Sequence, residues 1–139
     1  MSAAPRYDAA DLPVRPGEEP WTDAELKQVR AELEAESVGL RADIARADSD
    51  IAERLTDAVR DAGDDQADAG TKAFERDHEL ALTQNARHLL EQGERALARI
   101  DAGTYGVCES CGRAIGKARL LAFPRATLCV ECKQREERR

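Results

Sequence analysis

Residues 108–132 read CESCGRAIGKARLLAFPRATLCVEC, and this stretch holds all four cysteines of the chain. The cysteines form two Cys-x2-Cys pairs, Cys108 with Cys111 and Cys129 with Cys132. A Cys-x2-Cys turn holds two thiolates on one side of the backbone, so two such turns can surround one Zn²⁺ ion with four sulfurs. The spacing therefore predicts a small zinc module.

Two other interpretations of the cysteines stay open. They could form two disulfides, or a Cys-x-x-Cys pair could be redox-active. The first twenty residues lack the apolar stretch of a secretory signal, so we expect a cytoplasmic protein, and a reducing cytosol disfavours structural disulfides. Zinc is the interpretation that gives all four sulfurs a use.

The composition of the whole chain favours long helices. Of its 139 residues, 35% are charged and only 4% are aromatic, which is typical of long amphipathic helices rather than of a thick globular core. The formal net charge is −7, so direct binding of a DNA sequence is not expected, because phosphate neutralisation needs a basic surface. No segment is apolar enough to predict a membrane span.

Two long helices are predicted upstream of the cysteines. The first is opened by a capping-box pattern, Thr22 with Glu25, and is predicted to run from residue 23 to about residue 62. Its predicted seam, with alternating three- and four-residue spacing, is Leu26, Leu33, Ser37, Leu40, Ile44, Ala47 and Ile51. The second helix is predicted from about residue 71 to residue 101. Its seam candidates are Phe74, Leu82, Leu89, Leu97 and Ile100, with Ala81 and Ala96 beside them.

The predicted fold is mainly α, because two amphipathic helices joined by a short connection fold back as an antiparallel coiled-coil hairpin. We expect residues 21–102 to form this hairpin, with an acidic tip at 61–70. Residues 1–20 contain four prolines and predict an extended or disordered arm. Residues 103–139 complete the chain as a zinc-finger module with a short C-terminal helix. The protein is expected to be a monomer.

The sequence contains no recognisable catalytic constellation. His78 and His88 are ten residues apart, and neither belongs to a His-Glu-x-x-His pattern, so each is interpreted as seam filler or as part of a solvated helix face. No Gly-rich phosphate loop or nucleophile elbow is present. A shell of four cysteines leaves no open metal position for water or substrate. An enzyme is therefore not expected.

Aspartates crowd the predicted tip. Asp61, Asp64, Asp65 and Asp68 lie within eight residues, and like charges at this density repel one another. A solvated turn is one explanation, since Asp is a favoured turn and N-cap residue and Asp68 could cap the second helix. The other explanation is functional. Carboxylates at the end of a stiff hairpin can approach a basic groove, or a metal ion in the catalytic centre of a partner.

Residues 105–132 resemble the zinc-finger signature of the DksA/TraR family. Besides the four cysteines, the matching positions are Tyr105, Gly106, Gly112, Ile115, Arg119, Leu120, Ala122 and Pro124. The resemblance extends without a gap back to the tip, where the Asp-x-x-Asp-x-Ala motif of the family falls on Asp65, Asp68 and Gly70. It covers about residues 20–139.

The resemblance implies a regulator of transcription initiation that binds bacterial RNA polymerase. It implies that the coiled coil enters the secondary channel of the polymerase, where Asp65 and Asp68 would approach the catalytic centre. It also implies that the zinc ligands are Cys108, Cys111, Cys129 and Cys132. Members of the family do not bind a DNA sequence, in agreement with the acidic balance of this chain.

Two departures from the family pattern carry predictions. Gly70 replaces the Ala of the tip motif, which loosens the start of the second helix. The family's surface for guanosine tetraphosphate is basic, whereas this chain keeps only Leu89 and Lys133 there and otherwise has Asn85, Gln92 and Phe123. We therefore expect little or no response to that nucleotide, because its phosphates lose charge-assisted partners.

Two alternative functions stay open beside the resemblance. One is a thiol-based redox or zinc sensor, in which oxidation of the cysteines releases the metal. The other is a coiled-coil interaction protein with a partner other than polymerase.

Overall fold

The computed structural model describes residues 7–60 and 66–138, with the backbone alone described at 58, 60 and 66–69. After a 3-10 turn at Ala9–Asp11 come four helices, α1 (Asp23–Arg60), α2 (Gln66–Ala102), α3 (Lys117–Ala122) and α4 (Val130–Glu137). These ranges contain no strand, only an isolated bridge between Val107 and Ala114. The prediction of a mainly α fold is confirmed. No helix in the described ranges is long and apolar enough to cross a membrane.

The start of α1 follows the sequence prediction. The backbone N–H of Glu25 donates to the Thr22 hydroxyl at 3.2 Å, and the backbone N–H of Thr22 donates to the Glu25 carboxylate at 3.0 Å. This reciprocal pair is a capping box, which satisfies two backbone donors at the helix start. The start of α1 is therefore determined locally.

The start of α2 differs from the prediction. The chain is already helical at Gln66, so residues 66–70 belong to α2 and not to a loop. Asp68 lies inside this helix, so it does not precede α2 as an N-cap residue, which had been one explanation of the aspartate. Gln and Ala are good helix formers, and Gly70 lowers helix stability by only about 1 kcal/mol relative to Ala. The helix can therefore continue through Gly70. Residues 61–65, the rest of the predicted tip, lie outside the described residues.

The chain divides into two compact units. The first, here called the cysteine unit, comprises residues 7–36 and 92–138 of the described chain. The second, here called the two-helix unit, comprises residues 37–60 and 66–91. Each unit contains a piece of α1 and a piece of α2, so the unit boundary does not coincide with a loop.

The cysteine unit has the larger core. Its fully buried side chains include Leu33 of α1, Ile100 of α2 and Leu120 of α3, each no more than 1% exposed. Trp21 and Tyr105 meet edge to face in this core, with ring centroids 6.0 Å apart. Since α3 and the cysteines share one core with both long helices, the cysteine-containing segment is an integral part of this unit.

Part of residues 7–20 packs into the same core, so of the extended and disordered alternatives expected for this stretch, the disordered one is wrong. Ala9 and Leu12 are each 3% exposed, and they belong to the hydrophobic cluster of the cysteine unit. The hydroxyl of Tyr7 donates a hydrogen bond to the backbone carbonyl of Ile100. The four prolines predicted an irregular backbone. An irregular segment can still be ordered when its apolar side chains pack into a core.

In the two-helix unit, α1 and α2 run antiparallel. Arg54 pairs with Glu79, whereas the earlier residue Asp48 pairs with the later residue Arg87 at 2.7 Å. Ile44 and Thr83 are among the buried residues of this unit. The expected antiparallel packing of the two long helices is confirmed.

The seam of α1 follows the prediction, while that of α2 is rotated. All seven predicted α1 residues are buried or half-buried, and Val29 joins them. On α2, Leu89, Leu97 and Ile100 are buried or half-buried, as is Ala96 beside them. Phe74 and Leu82 are exposed, so their placement in the seam is wrong, and Ala81 is exposed too. A different stripe of α2 is buried or half-buried, and its residues lie alternately three and four positions apart, counting back from Ile100. The residues of this stripe are Leu97, Gly93, Leu90, Ala86, Thr83, Glu79 and Arg76. Leu82 is about 100° away from Thr83 around the helix.

Candidate metal centre

The first cysteine pair lies in a tight turn between α2 and α3. The backbone N–H of Cys108 donates to the carbonyl of Arg113 at 2.8 Å, and that of Gly112 donates to the carbonyl of Cys108 at 3.0 Å. Gly112 has φ +74°, a conformation that residues with a Cβ rarely adopt. This glycine lets the chain reverse directly after Cys111, which brings both thiols to one side of the turn.

The second pair lies at the start of α4. Cys129 precedes the helix and Cys132 lies in its first turn. The backbone N–H of Glu109 donates to the carbonyl of Thr127 at 2.9 Å, which ties the two turns together. Arg99 at the end of α2 forms an ion pair with Glu109. Backbone and side-chain bonds thus hold the two pairs against each other and against α2.

The four thiols have the geometry of a single metal site. All four Sγ atoms lie within 4.8 Å of one another, and the Sγ atoms of Cys111 and Cys129 are 3.9 Å apart. Zn–S bonds of about 2.3 Å in a tetrahedron place neighbouring sulfurs about 3.8 Å apart. The separation is far longer than a disulfide bond of about 2.05 Å, and all four cysteines are free. The residues therefore fit a four-sulfur metal site and not a disulfide pair.

The surroundings of the cysteines shift the pKa values of their thiols in different directions. Burial raises the pKa of the Cys108 thiol, but the backbone N–H groups of Cys111, Cys129 and Ser110 outweigh burial and lower that pKa to about 6. The Ser110 hydroxyl lowers the pKa of Cys132, but hydrogen bonding to the neighbouring cysteines and burial outweigh it and raise that pKa to about 11. Neighbouring negative charges oppose one another, so a cation is needed before all four sulfurs can ionise together.

The shell of the site is closed on most sides. Cys108 and Cys129 are each 1% exposed and Cys132 is 5% exposed, whereas Cys111 is exposed. With all four positions occupied by sulfur, such a site holds a metal for structure and leaves no position for a substrate. The prediction that the four cysteines come together is confirmed.

The predicted tip residues are only partly described. Asp65 lies outside the described residues, and Asp68 lies within α2, near its first described residue. Gly70 is exposed on the same helix, and a Cβ added there would meet no atom within 4 Å. Their role in binding a partner therefore stays a prediction.

Sequence reasoning did not find Arg15 and Glu18. Both contact the segment that carries the cysteines, although about a hundred residues separate them from it in the chain. A Pro-Gly-Glu-Glu-Pro stretch carries no motif that predicts such contacts, so only the tertiary structure reveals them.

Comparisons with known proteins agree with the site. Residues 103–138 match the family model of the prokaryotic dksA/traR C4-type zinc finger. The chain is 34% identical over 121 residues to the RNA polymerase-binding transcription factor DksA of Escherichia coli, which covers 86% of this chain and 76% of that protein. It is 43% identical over 75 residues to the DksA of Caulobacter vibrioides, where the match spans only about half of each chain, 54% and 53%.

A solved structure has the same fold. The transcription factor DksA2 of Pseudomonas aeruginosa superimposes with a TM-score of 0.68 at 31% identity, covering 84% of this chain and 85% of that one. The fold of this chain is therefore shared with a transcription factor over most of the length of both chains. The chain belongs to the DksA/TraR family. The relatives are named as transcription factors, which agrees with the expectation that the chain is not an enzyme.

Proposed function

We propose that this protein binds RNA polymerase and regulates transcription initiation. The observation that carries the proposal is the 34% identity to the Escherichia coli factor, because the match covers 86% of this chain and so extends well beyond the zinc-finger segment into the long helices. The net charge of −7 supports a protein partner rather than direct contact with a DNA sequence. A polymerase partner would place the protein in the cytoplasm, where it would act as a monomer.

The metal of the proposed site is Zn²⁺. Its ligands would be Cys108, Cys111, Cys129 and Cys132, whose sulfurs have the spacing of a tetrahedral four-sulfur site. When bound, zinc supplies a structural cross-link and no reactive position. The match to a C4-type zinc finger supports this choice over other thiophilic metals.

We further propose that the connection between α1 and α2 enters the secondary channel of the polymerase. Asp65 and Asp68 would be the working carboxylates, with Gly70 beside them. The helical backbone of α2 from Gln66 onward supports this role, since a helix presents Asp68 on a stiff support. Gly70 weakens that support, because glycine within a helix costs about 1 kcal/mol relative to Ala.

The response to guanosine tetraphosphate is proposed to be weak or absent. Gln92, Phe123 and Lys133 line one groove of about 670 Å³ in the cysteine unit. The wall of this groove also carries Arg119, Arg125 and the carboxylates of Glu36 and Glu136, and Glu36 pairs with Arg125. The two carboxylates repel a polyanion, and the Glu36 carboxylate binds the Arg125 guanidinium that would otherwise be available to a phosphate group.

One transcription experiment tests the regulatory proposal. Purified RNA polymerase on a stable-RNA promoter is assayed with the wild-type protein, with Asp65→Asn/Asp68→Asn, and with Asp77→Asn as a control at an exposed position of α2. The double variant should lose the regulatory effect while still binding polymerase, and the control should keep both. Normal regulation by the double variant would refute the role of the two carboxylates.

The nucleotide proposal is tested by the same assay with and without guanosine tetraphosphate. The expected result is no nucleotide-dependent change in transcription. A change that disappears in Lys133→Ala would show that the groove binds the nucleotide, and the proposal would then be wrong.

A thiol-based sensor is the second candidate function, and the exposure of Cys111 favours it. Three of the four cysteines are buried, so Cys111 is the residue most open to an oxidant. Zinc release at low doses of peroxide, together with loss of polymerase regulation, would support this function. It is compatible with the first one. A partner other than polymerase has no comparable observation in its favour.

A further inference from the structure

Residues 7–20, here called the arm, cover the segment that carries the cysteines. Pro13 lies against Gly106, where an added Cβ would be 3.7 Å from the proline ring. Arg15 lies against Gly116, where an added Cβ would be 3.5 Å from the Arg15 side chain. Both glycines have positive φ, +94° and +115°. The arm therefore runs alongside the chain around the cysteines at two glycines whose backbone conformations residues with a Cβ rarely adopt.

Glu18 of the arm caps helix α3. One carboxylate oxygen accepts the backbone N–H of Lys117 at 3.0 Å, and the other accepts that of Ala118 at 2.9 Å. The residue before α3 is Gly116, which has no side chain with which to cap the helix. Glu18 thus satisfies, from about a hundred residues away, two donors that a helix start leaves without an intrahelical partner.

Arg15 joins the arm to both cysteine pairs. Its Nε donates to the carbonyl of Ala114, three residues after Cys111, at 3.2 Å. Its guanidinium also lies 3.6 Å from the carboxylate of Glu131, which stands between Cys129 and Cys132. The backbone N–H of Arg15 in turn donates to Glu18 at 2.7 Å. The Arg15–Glu131 pair is exposed and weak, so the Glu18 hydrogen bonds are the stronger part of this connection.

We propose that Glu18 is a positioning residue, which couples docking of the arm to retention of the metal by the four cysteines. The proposal rests on the zinc site proposed above. Glu18 fixes the start of α3 and orients Arg15, and both actions restrict the turns that carry the two cysteine pairs. Coupling of this kind is reciprocal. The factor by which the docked arm raises the affinity of the site for the metal equals the factor by which the bound metal raises the equilibrium constant for docking of the arm.

The test compares Glu18→Gln with Glu19→Gln in the zinc-loaded, full-length protein. Glu19 is the exposed neighbour of Glu18, so its variant removes the same charge from the same segment. Zinc release to a chromogenic chelator is measured first, and zinc content and helicity are checked in each protein. We expect Glu18→Gln to release zinc about fivefold faster than the wild-type protein, which corresponds to the free energy of losing a helix cap. Glu19→Gln should release zinc at the wild-type rate.

Hydrogen exchange gives a second readout that general destabilisation would not reproduce. In Glu18→Gln the amides of Lys117 and Ala118 should exchange faster, while amides in the two-helix unit keep their wild-type rates. In the wild type, removal of zinc should increase exchange of the arm amides of Asp11 and Leu12, which are bonded within the arm.

The possible failures are distinguishable. If the wild-type protein holds no zinc, the proposed metal site is wrong. If zinc binds but both glutamine variants release it at the wild-type rate, the coupling is refuted and the metal site stands. If Glu18→Gln does not fold, amide hydrogen exchange of the arm in the wild-type protein tests the coupling instead. Arm amides that exchange at the same rate with and without zinc would overturn the proposal.

Discussion

The hydroxyl of Tyr105 donates a hydrogen bond of 2.8 Å to the backbone carbonyl of Pro124. Tyr105 follows α2 and Pro124 follows α3, so this bond closes the segment that contains the first cysteine pair and α3. The tyrosine ring is 2% exposed and packs against Trp21. One side chain thus links the core of the cysteine unit to the turn that leads to the second pair.

Tyr105→Phe should lower the free energy of unfolding by about 1 kcal/mol, because the variant leaves the Pro124 carbonyl without its donor. It should also change the alkaline pH dependence. Burial raises the pKa of Tyr105 above its ordinary value of 10.0, so the folded state favours the neutral phenol. This stabilisation is fully present below pH 10 and is lost as the pH rises toward the folded-state pKa.

Urea unfolding of the zinc-loaded protein at pH 8, 10 and 11 measures both effects. The free energy of unfolding should fall more steeply above pH 10 in the wild type than in Tyr105→Phe. Tyr7→Phe is the comparison variant, since Tyr7 is the other tyrosine of the chain and its pKa is also raised by burial. Equal alkaline slopes in the wild type and Tyr105→Phe would contradict the assignment.

Two leucines that the sequence pattern placed in seams should behave differently. Leu33 is 1% exposed and Leu82 is 58% exposed. Leu33→Ala should cost about 2–5 kcal/mol of unfolding free energy, since it opens a cavity in the core. Leu82→Ala should change that free energy by less than about 0.5 kcal/mol. Chemical denaturation measures both, and a comparable loss at Leu82 would show that the exposed face of α2 is misplaced.

Two glycines should respond in opposite directions to alanine. Gly39 lies in the middle of α1, where an added Cβ meets no atom within 4 Å, so Gly39→Ala should stabilise the protein by about 0.5–1 kcal/mol. Gly116 has φ +115°, so Gly116→Ala should destabilise by about 1–3 kcal/mol. Thermal unfolding of the two variants beside wild type measures the signs. Stabilisation by Gly116→Ala would exclude the backbone conformation described before α3.

Removal of the metal should be visible at the single tryptophan. Trp21 is 2% exposed and belongs to the same hydrophobic cluster as Cys108, Cys129 and Cys132. Binding of a structural metal is coupled to folding, so a chelator should loosen this core and shift the Trp21 emission to longer wavelength. Refilling with Zn²⁺ should restore the spectrum. An emission that stays constant while the zinc leaves would mean that the core holds without the metal.

Local signals in the sequence predicted much of this structure. The two Cys-x2-Cys pairs predicted the four-sulfur cluster, because the ligand geometry of each pair is contained in four consecutive residues. The capping box of Thr22 and Glu25 predicted the start of α1 for the same reason. The heptad spacing of α1 identified the buried face of that helix from Leu26 to Ile51, although Val38, Leu55 and Val59 are exposed.

The tertiary structure decided what local signals leave open. On α2, Phe74 and Leu82 looked like seam residues because they are large and apolar, but Thr83 and Ala86 turn inward with the face that continues from Ile100. The α2 sequence carries two candidate stripes, and only packing against α1 selects between them. Docking of the arm and capping of α3 by Glu18 likewise depend on contacts across about a hundred residues, which no periodicity or spacing records.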